Sequence, residues 1–221
     1  MVPTVSSPSL NIEEKRSESL TGNVRANYHN TFNSVHTIDA FLGFEGNKSS
    51  SNMLSGYRGN FPSGMIPELP FGDSNTQTNN GSWSETARLN YFGRALYDYD
   101  NKYMVQFQFR YDGSQNFPPG NRYGFFPGVS AGWTLSKENF MSNINWLDNL
   151  KLRASWGQMG NDAIAAYQYL VLYGLSPGAV FNGAQASGLY QKGTPNPNIT
   201  WEIANSYDVG VESLSLIHIS E

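Results

Sequence analysis

From Tyr103 to Asp112 the chain alternates almost without a break. Tyr103, Val105, Phe107, Phe109 and Tyr111 share one parity, and Gln106, Gln108, Arg110 and Asp112 share the other. Successive side chains of a β-strand point to opposite faces, so this stretch makes a ribbon with one apolar and one polar side. Six more stretches repeat the pattern. Residues 22–30 set Val24, Ala26 and Tyr28 against Asn23, Arg25 and Asn27. Residues 35–45 set Ile38, Ala40, Leu42 and Phe44 against Asp39 and Glu45. Residues 85–97 set Ala87, Leu89, Tyr91, Gly93, Ala95 and Tyr97 against Thr86, Arg88, Asn90 and Arg94. Residues 126–136 set Val129, Ala131, Trp133 and Leu135 against Ser130, Gly132, Thr134 and Ser136. Residues 149–158 set Leu150, Leu152, Ala154 and Trp156 against Lys151, Arg153 and Ser155. Residues 201–212 set Ile203, Tyr207, Val209 and Val211 against Glu202, Ser206, Asp208 and Glu212.

The charged residues of these stretches fall on the less apolar face. That separation is what a lipid-facing surface demands, since Arg or Lys there costs about 2–4 kcal/mol at mid-bilayer. The links also alternate in length. Short ones fall near 31–34, 98–101 and 138–148; longer ones fall near 46–84, 113–125 and 159–200. Outer-membrane barrels show this rhythm, with short periplasmic turns and longer outer loops. Tyr97, Tyr99 and Tyr103 ring one tight turn, where an interfacial tyrosine puts its ring among headgroups and its hydroxyl in water. A soluble β-sandwich also alternates, but its strands average only about 5–6 residues.

Composition narrows the classes further. Charged residues are 14% and aromatics 14%, with 22 glycines and no cysteine. Disulfides and Cys-ligated metals are therefore excluded. The formal net charge is −4 without a basic run, which argues against nucleic acid as a partner. No apolar run reaches the ~18 residues a membrane-crossing helix needs, but a barrel strand needs only ~9–11 alternating residues. His29, His36 and His218 lack metal spacing, and no nucleophile or phosphate-binding motif appears. Neither a cofactor nor an enzyme is expected. Asp39, Glu45, Asp112 and Asp208 are scattered over the polar face, and lumen polarity accounts for them better than a catalytic pair.

Several runs carry a resemblance. They are Tyr91-Phe92-Gly93-Arg94-Ala95-Leu96-Tyr97-Asp98-Tyr99, Arg110-Tyr111-Asp112-Gly113-Ser114 and Arg122-Tyr123-Gly124-Phe125-Phe126-Pro127 with Val129-Ser130-Ala131-Gly132-Trp133. Leu150 to Asn161 (LKLRASWGQMGN) and Asn196-Pro197-Asn198-Ile199-Thr200-Trp201-Glu202 complete the set. In this order and spacing the chain resembles the SusC/RagA family of TonB-linked outer-membrane receptors over residues 20–212. The resemblance implies a closed barrel of about 22 strands with a plugged lumen. It implies import of oligosaccharides or oligopeptides in Bacteroidetes-like bacteria. The implied partners are a SusD-like surface lipoprotein, the TonB complex acting through a plug, and outer-membrane lipid.

The expected architecture is therefore all-β: an antiparallel up-and-down transmembrane β-barrel fragment, about seven strands of a larger barrel, in the cell outer membrane. Residues 1–20 read as a loop or incomplete strand, 21–212 as the partial receptor barrel, and 213–221 as a non-native tail. Apolar positions switch from odd to even numbers after Val211, and Ser215 to Glu221 reads like translated adapter sequence. A plug and a leader are expected upstream, since Met1 opens neither. Ligand or lid contact is expected from the aromatic residues of the two long loops: Tyr57, Phe61, Trp83, Tyr167, Tyr169, Tyr173, Phe181 and Tyr190. The segment from Phe71 to Ser82 carries oxygen ligands for calcium but lacks EF-hand spacing, so a surface loop is the plainer reading. The alternatives are a soluble carbohydrate-binding β-sandwich and a passive outer-membrane barrel.

Overall fold

The computed structural model describes residues 7–62, 66–144 and 146–215. Nine strands occur in the order β1 (Leu10–Phe32), β2 (His36–Arg58), β3 (Thr78–Tyr99), β4 (Tyr103–Ser114), β5 (Tyr123–Thr134), β6 (Leu147–Asn161), β7 (Tyr173–Phe181), β8 (Ala184–Gln191) and β9 (Glu202–Ser215). Seven of them hydrogen-bond in the order β1-β2-β3-β4-β5-β6-β9, and β7 and β8 form a separate two-stranded sheet. Every neighbour in the seven-stranded order is the next strand in sequence except where the β7–β8 hairpin intervenes. This is the up-and-down meander that the alternation predicts.

All seven predicted strands are present, with their ends moved. β1 starts at Leu10, not at 22, and β2 continues to Arg58. β3 starts at Thr78, so the loop expected over 46–84 shrinks to 59–77. The added lengths are polar on both faces and thus show no apolar period. Hydroxyl pairs hold them instead: Ser17 with Ser51 at 3.1 Å and Ser19 with Ser49 at 2.9 Å. Together with Thr31–Thr37 at 3.1 Å, these pairs make β1 and β2 antiparallel. Glu85 also departs from the expected separation of charge. It has the apolar parity of β3, and it pairs with Lys48 of β2 at 3.0 Å. The pair sits where the apolar run of β2 and β3 gives way to polar sequence.

The chain divides into two compact units, residues 1–21 with 47–87 and residues 22–46 with 88–221. The first unit holds the polar ends of β1 to β3. Its loop is braced by Arg58, which donates to the carbonyls of Pro70 and Gly72 at 3.2 Å each. Asp73 accepts from the Asn75 amide at 2.9 Å, and that bond holds its carboxyl below the ordinary value. The aspartate thus caps its own turn. Among the described residues, no group of three or more His, Asp or Glu is arranged to hold a metal ion.

The second unit carries the aromatic sheet. Its register pairs like with like: Tyr91 with Tyr111, Ala95 with Phe107, Tyr97 with Val105 and Tyr99 with Tyr103. Tyr103 faces Trp133, Phe107 faces Val129, and Tyr111 faces Phe125. The next strands continue it, Trp133 with Leu152 and then Leu152 with Val211. One face is therefore a continuous apolar surface across β3, β4, β5, β6 and β9.

That face is bare. Leu42 is 64% exposed and Val209 84%, while the buried hydrophobic residues among those described are Phe117 and Phe126. A soluble sandwich puts its apolar faces together in the core. Here the apolar side looks outward, as in a barrel that meets lipid. The β-sandwich alternative fails on this observation.

Two rows of aromatic rings border the apolar band. Tyr99–Tyr103 at 6.2 Å and Tyr103–Trp133 at 6.4 Å form one row. Phe44–Tyr91 at 5.1 Å and Tyr111–Tyr123 at 5.0 Å form the other. The first row lies beside tight turns. Asn33 and Ser34, and Asp100 and Asn101, all have positive φ between 48° and 59°, the pairing that a two-residue type I′ turn requires.

Candidate functional site

The polar face of the second unit forms an open concavity of about 850 Å³. It is lined by Arg94, Gln106, Gln108, Arg110, Ser130, Lys151, Arg153, Ser155, Asp208 and Glu212, together with Phe41, Phe92 and Phe126. Its charges are largely matched. Arg94 pairs with Asp39 at 3.0 Å, Arg110 with Asp112 at 2.9 Å, and Arg153 with Glu212 at 2.9 Å. Asn90 donates to Glu45 at 3.3 Å. Three of the four carboxylates singled out in the sequence are thus hydrogen-bonded wall residues, and they converge on no common point. Arginine also covers half-buried rings of this wall. The Arg25 guanidinium lies 3.9 Å from the centre of Phe41, and that of Arg110 lies 5.9 Å from Phe92. Such contacts are worth about 0.5–1 kcal/mol at exposed sites. The wall suits a polar, hydrated lumen.

At the long-loop end, the motifs that are far apart in sequence meet. The Trp201 ring centre lies 5.0 Å from that of Phe117, tilted, and 5.2 Å from that of Phe126, edge to face. Its Nε1 donates to the Arg122 carbonyl at 3.2 Å. Asn121 donates to the carbonyls of Asn198 at 3.4 Å and Ile199 at 3.2 Å. The Phe126 ring occupies the space that side chains at 124 and 160 would need. A Cβ at Gly160 would lie 2.0 Å from it, and one at Gly124 2.4 Å. These glycines are there so that two strands can close over one phenyl ring. The Arg-Tyr-Gly-Phe-Phe-Pro and Asn-Pro-Asn-Ile-Thr-Trp runs are therefore two halves of one small core.

At the short-turn end, Glu138 gathers three donors. They are the Tyr103 hydroxyl, the Lys102 ammonium at 3.0 Å and the Trp133 indole at 2.9 Å. These bonds, the Tyr103 bond first, lower its pKa from 4.5 to about 2. A depressed carboxylate contributes stability above its unfolded pKa and loses it as pH falls through the folded one. We expect this turn cluster to stay closed at pH 4 and to open as pH approaches 2. Trp133 fluorescence in the full receptor reads the change, and Glu138→Gln should remove its pH dependence over that range.

A family model described as TonB dependent receptor-like, beta-barrel matches residues 5–217. The chain belongs to this family. The receptor segment is similar to the TonB-dependent receptor P39 of Formosa agariphila, 30% identical over 192 residues. That match covers 84% of this chain and 18% of the relative. It is also similar to the TonB-dependent receptor SusC of Bacteroides thetaiotaomicron, 35% identical over 133 residues, covering 56% of this chain and 13% of SusC. Among solved structures, the RagAB peptide transporter superposes with a TM-score of 0.83 at 24% identity. There the match covers 94% of this chain and 23% of the other. The segment thus spans less than a fifth of those two curated relatives. The expected SusC/RagA kinship and barrel fold hold, and the segment is part of an outer-membrane barrel. Its bare aromatic face is the lipid face and its concave polar face lines the lumen. By the rule of loop lengths, the turns at 33–35 and 100–102 are periplasmic and the longer loops are extracellular.

The eight aromatic residues expected at the ligand or lid are spread out. Tyr57 is on β2 and Trp83 on β3, not in a loop. The Phe61 ring lies over Gly72, where a Cβ would come within 2.9 Å, so it packs its own loop. Tyr167 and Tyr169 precede the hairpin, Tyr173 opens β7 and Tyr190 is on β8. Trp83 is 67% and Tyr173 63% exposed. The side chain of Phe181 is outside the described residues. The residues that sequence reasoning missed are Phe117 and Trp201. The strand pattern gives no reason to bring a loop phenylalanine to a tryptophan at the start of β9.

Proposed function

We propose that the complete receptor is a TonB-dependent importer of oligosaccharides or oligopeptides, working with a SusD-like surface lipoprotein. Membership of the receptor family carries this reading. The inner wall supports it: matched charges and amide side chains give a hydrated path without a fixed high-affinity trap. The TonB complex would act through a plug that is not in this segment. Seven aromatic residues remain our proposed ligand or lid contacts: Tyr57, Trp83, Tyr167, Tyr169, Tyr173, Phe181 and Tyr190. Phe61, whose ring also packs against Gly72 of its own loop, is proposed with them. We propose residues 21–212 as the partial receptor barrel, which β1 extends back to Leu10, and 213–221 as a non-native tail.

The test uses the full-length receptor in its own bacterium. Cells with and without the gene are grown on a mixed pool of oligosaccharides and peptides, and depletion of each is followed by mass spectrometry. Loss of uptake of one class, reproduced by dissipating the proton gradient, supports the proposal and names the substrate. Unchanged uptake of every component, or uptake indifferent to the gradient, favours a passive barrel.

A further inference from the structure

The extracellular excursion from Asp162 to Trp201 is pinned at both of its roots, and one short loop is common to both pins. At the first root, the Asp162 carboxylate pairs with Arg88 of β3 at 2.9 Å. Asn116 donates to the Asp162 carbonyl at 3.1 Å. At the second root, Asn121 holds the carbonyls of Asn198 and Ile199, and Trp201 closes on Phe117, Phe126 and the Arg122 carbonyl. Asn116, Phe117, Asn121 and Arg122 all belong to the loop between β4 and β5. That loop is itself tied down, since Ser114 donates its amide to Arg122 at 3.0 Å and the Arg122 guanidinium donates to the Phe117 carbonyl at 3.4 Å. Phe117 is fully buried.

We propose that residues 115–122 and Trp201 form a latch that couples the roots of the excursion to each other and to the lumen wall. The connecting piece is Phe126. Its ring touches Trp201 on one side and lies over Gly124 and Gly160 on the other, while the residue itself lines the lumen concavity. Displacing Trp201 therefore disturbs the wall, and displacing the wall disturbs Trp201. The latch also reaches the first root through Asn116. Beyond the roots, backbone bonds close the excursion from Asn196 to Gln168 at 2.9 Å and from Lys192 to Leu172 at 2.7 Å. Movement of the outer hairpin against a fixed base is what this arrangement permits. Trp201 is a positioning residue in this scheme, and touches neither substrate nor partner.

Hydrogen exchange of the full-length receptor in lipid nanodiscs tests the coupling. Trp201→Ala should raise exchange about tenfold at residues 115–122 and, remotely, at 162–172, with β3 and β4 unchanged. Trp201→Phe keeps a ring but loses the indole bond, and should restore most of the protection. Asn121→Ala cuts the polar link without opening the aromatic core, so it should loosen both roots even if Trp201→Ala does not fold. Exchange confined to the neighbours of Trp201, with 162–172 unmoved in both variants, would overturn the proposal. General loss of protection across β3 to β6 would overturn it too, because Trp201 would then be ordinary packing of the whole barrel.

Discussion

Phe107→Arg should sharply lower the amount of receptor folded in the outer membrane, whereas Gln106→Arg should leave it nearly unchanged. The two residues are adjacent, and only the face differs. Phe107 lies midway between Tyr103 and Tyr111, beside Ala95 and Val129 on the bare apolar side. A cation there meets the middle of the bilayer and costs about 2–4 kcal/mol. That is a large part of the roughly 5–15 kcal/mol by which a typical protein is stable. Gln106 points to the concavity, between Leu96 and Ser130 in register, where water and other polar groups receive a new charge. Heat-modifiable mobility of the folded barrel on gels, and urea unfolding in liposomes, measure both variants.

Phe117→Ala is expected to melt the loop 115–122 while leaving the barrel intact. Removing a fully buried phenyl ring typically costs about 3–5 kcal/mol, partly through the cavity left behind. Phe117 is fully buried at the centre of this small core, so the effect should approach the upper end unless Trp201 settles into the gap. Limited proteolysis of the full receptor should then cut within 115–122, where the parent protein resists. Phe117→Leu keeps much of the volume and should show a weaker effect. Equal resistance in the alanine variant would mean that the polar bonds of Asn121 and Arg122 hold the loop alone.

The sequence was most legible where one face meets lipid. There each strand must alternate, and β4 and β5 were read nearly to their ends. It was least legible where both faces meet water. The first half of β1, with Glu13, Lys15, Ser17 and Ser19 on one side and Glu14, Arg16 and Glu18 on the other, has no apolar period to betray a strand. The β7–β8 hairpin was missed for a different reason. Gly174, Pro177, Gly178 and Gly188 break its alternation. Its turn was nevertheless written plainly as Asn182-Gly183, both with positive φ, the strongest short hairpin signal there is. The clasp around Trp201 was legible only as separate motifs that carry the family resemblance. Their meeting depends on β5, β6 and β9 being neighbours in the sheet, which no local pattern encodes.

Lumen and loops are placed correctly only if the apolar face is the lipid face. Single cysteines placed from residue 103 to 112 of the full-length receptor in lipid bilayers can carry spin labels. Collision with oxygen, which concentrates in lipid, and with a water-soluble nickel chelate is then measured at each position. A lipid-facing apolar side gives a period of two: labels at 105, 107 and 109 meet oxygen, while labels at 106, 108 and 110 meet the chelate or the protein interior. Odd-numbered labels shielded from oxygen, as in a packed protein core, would contradict it.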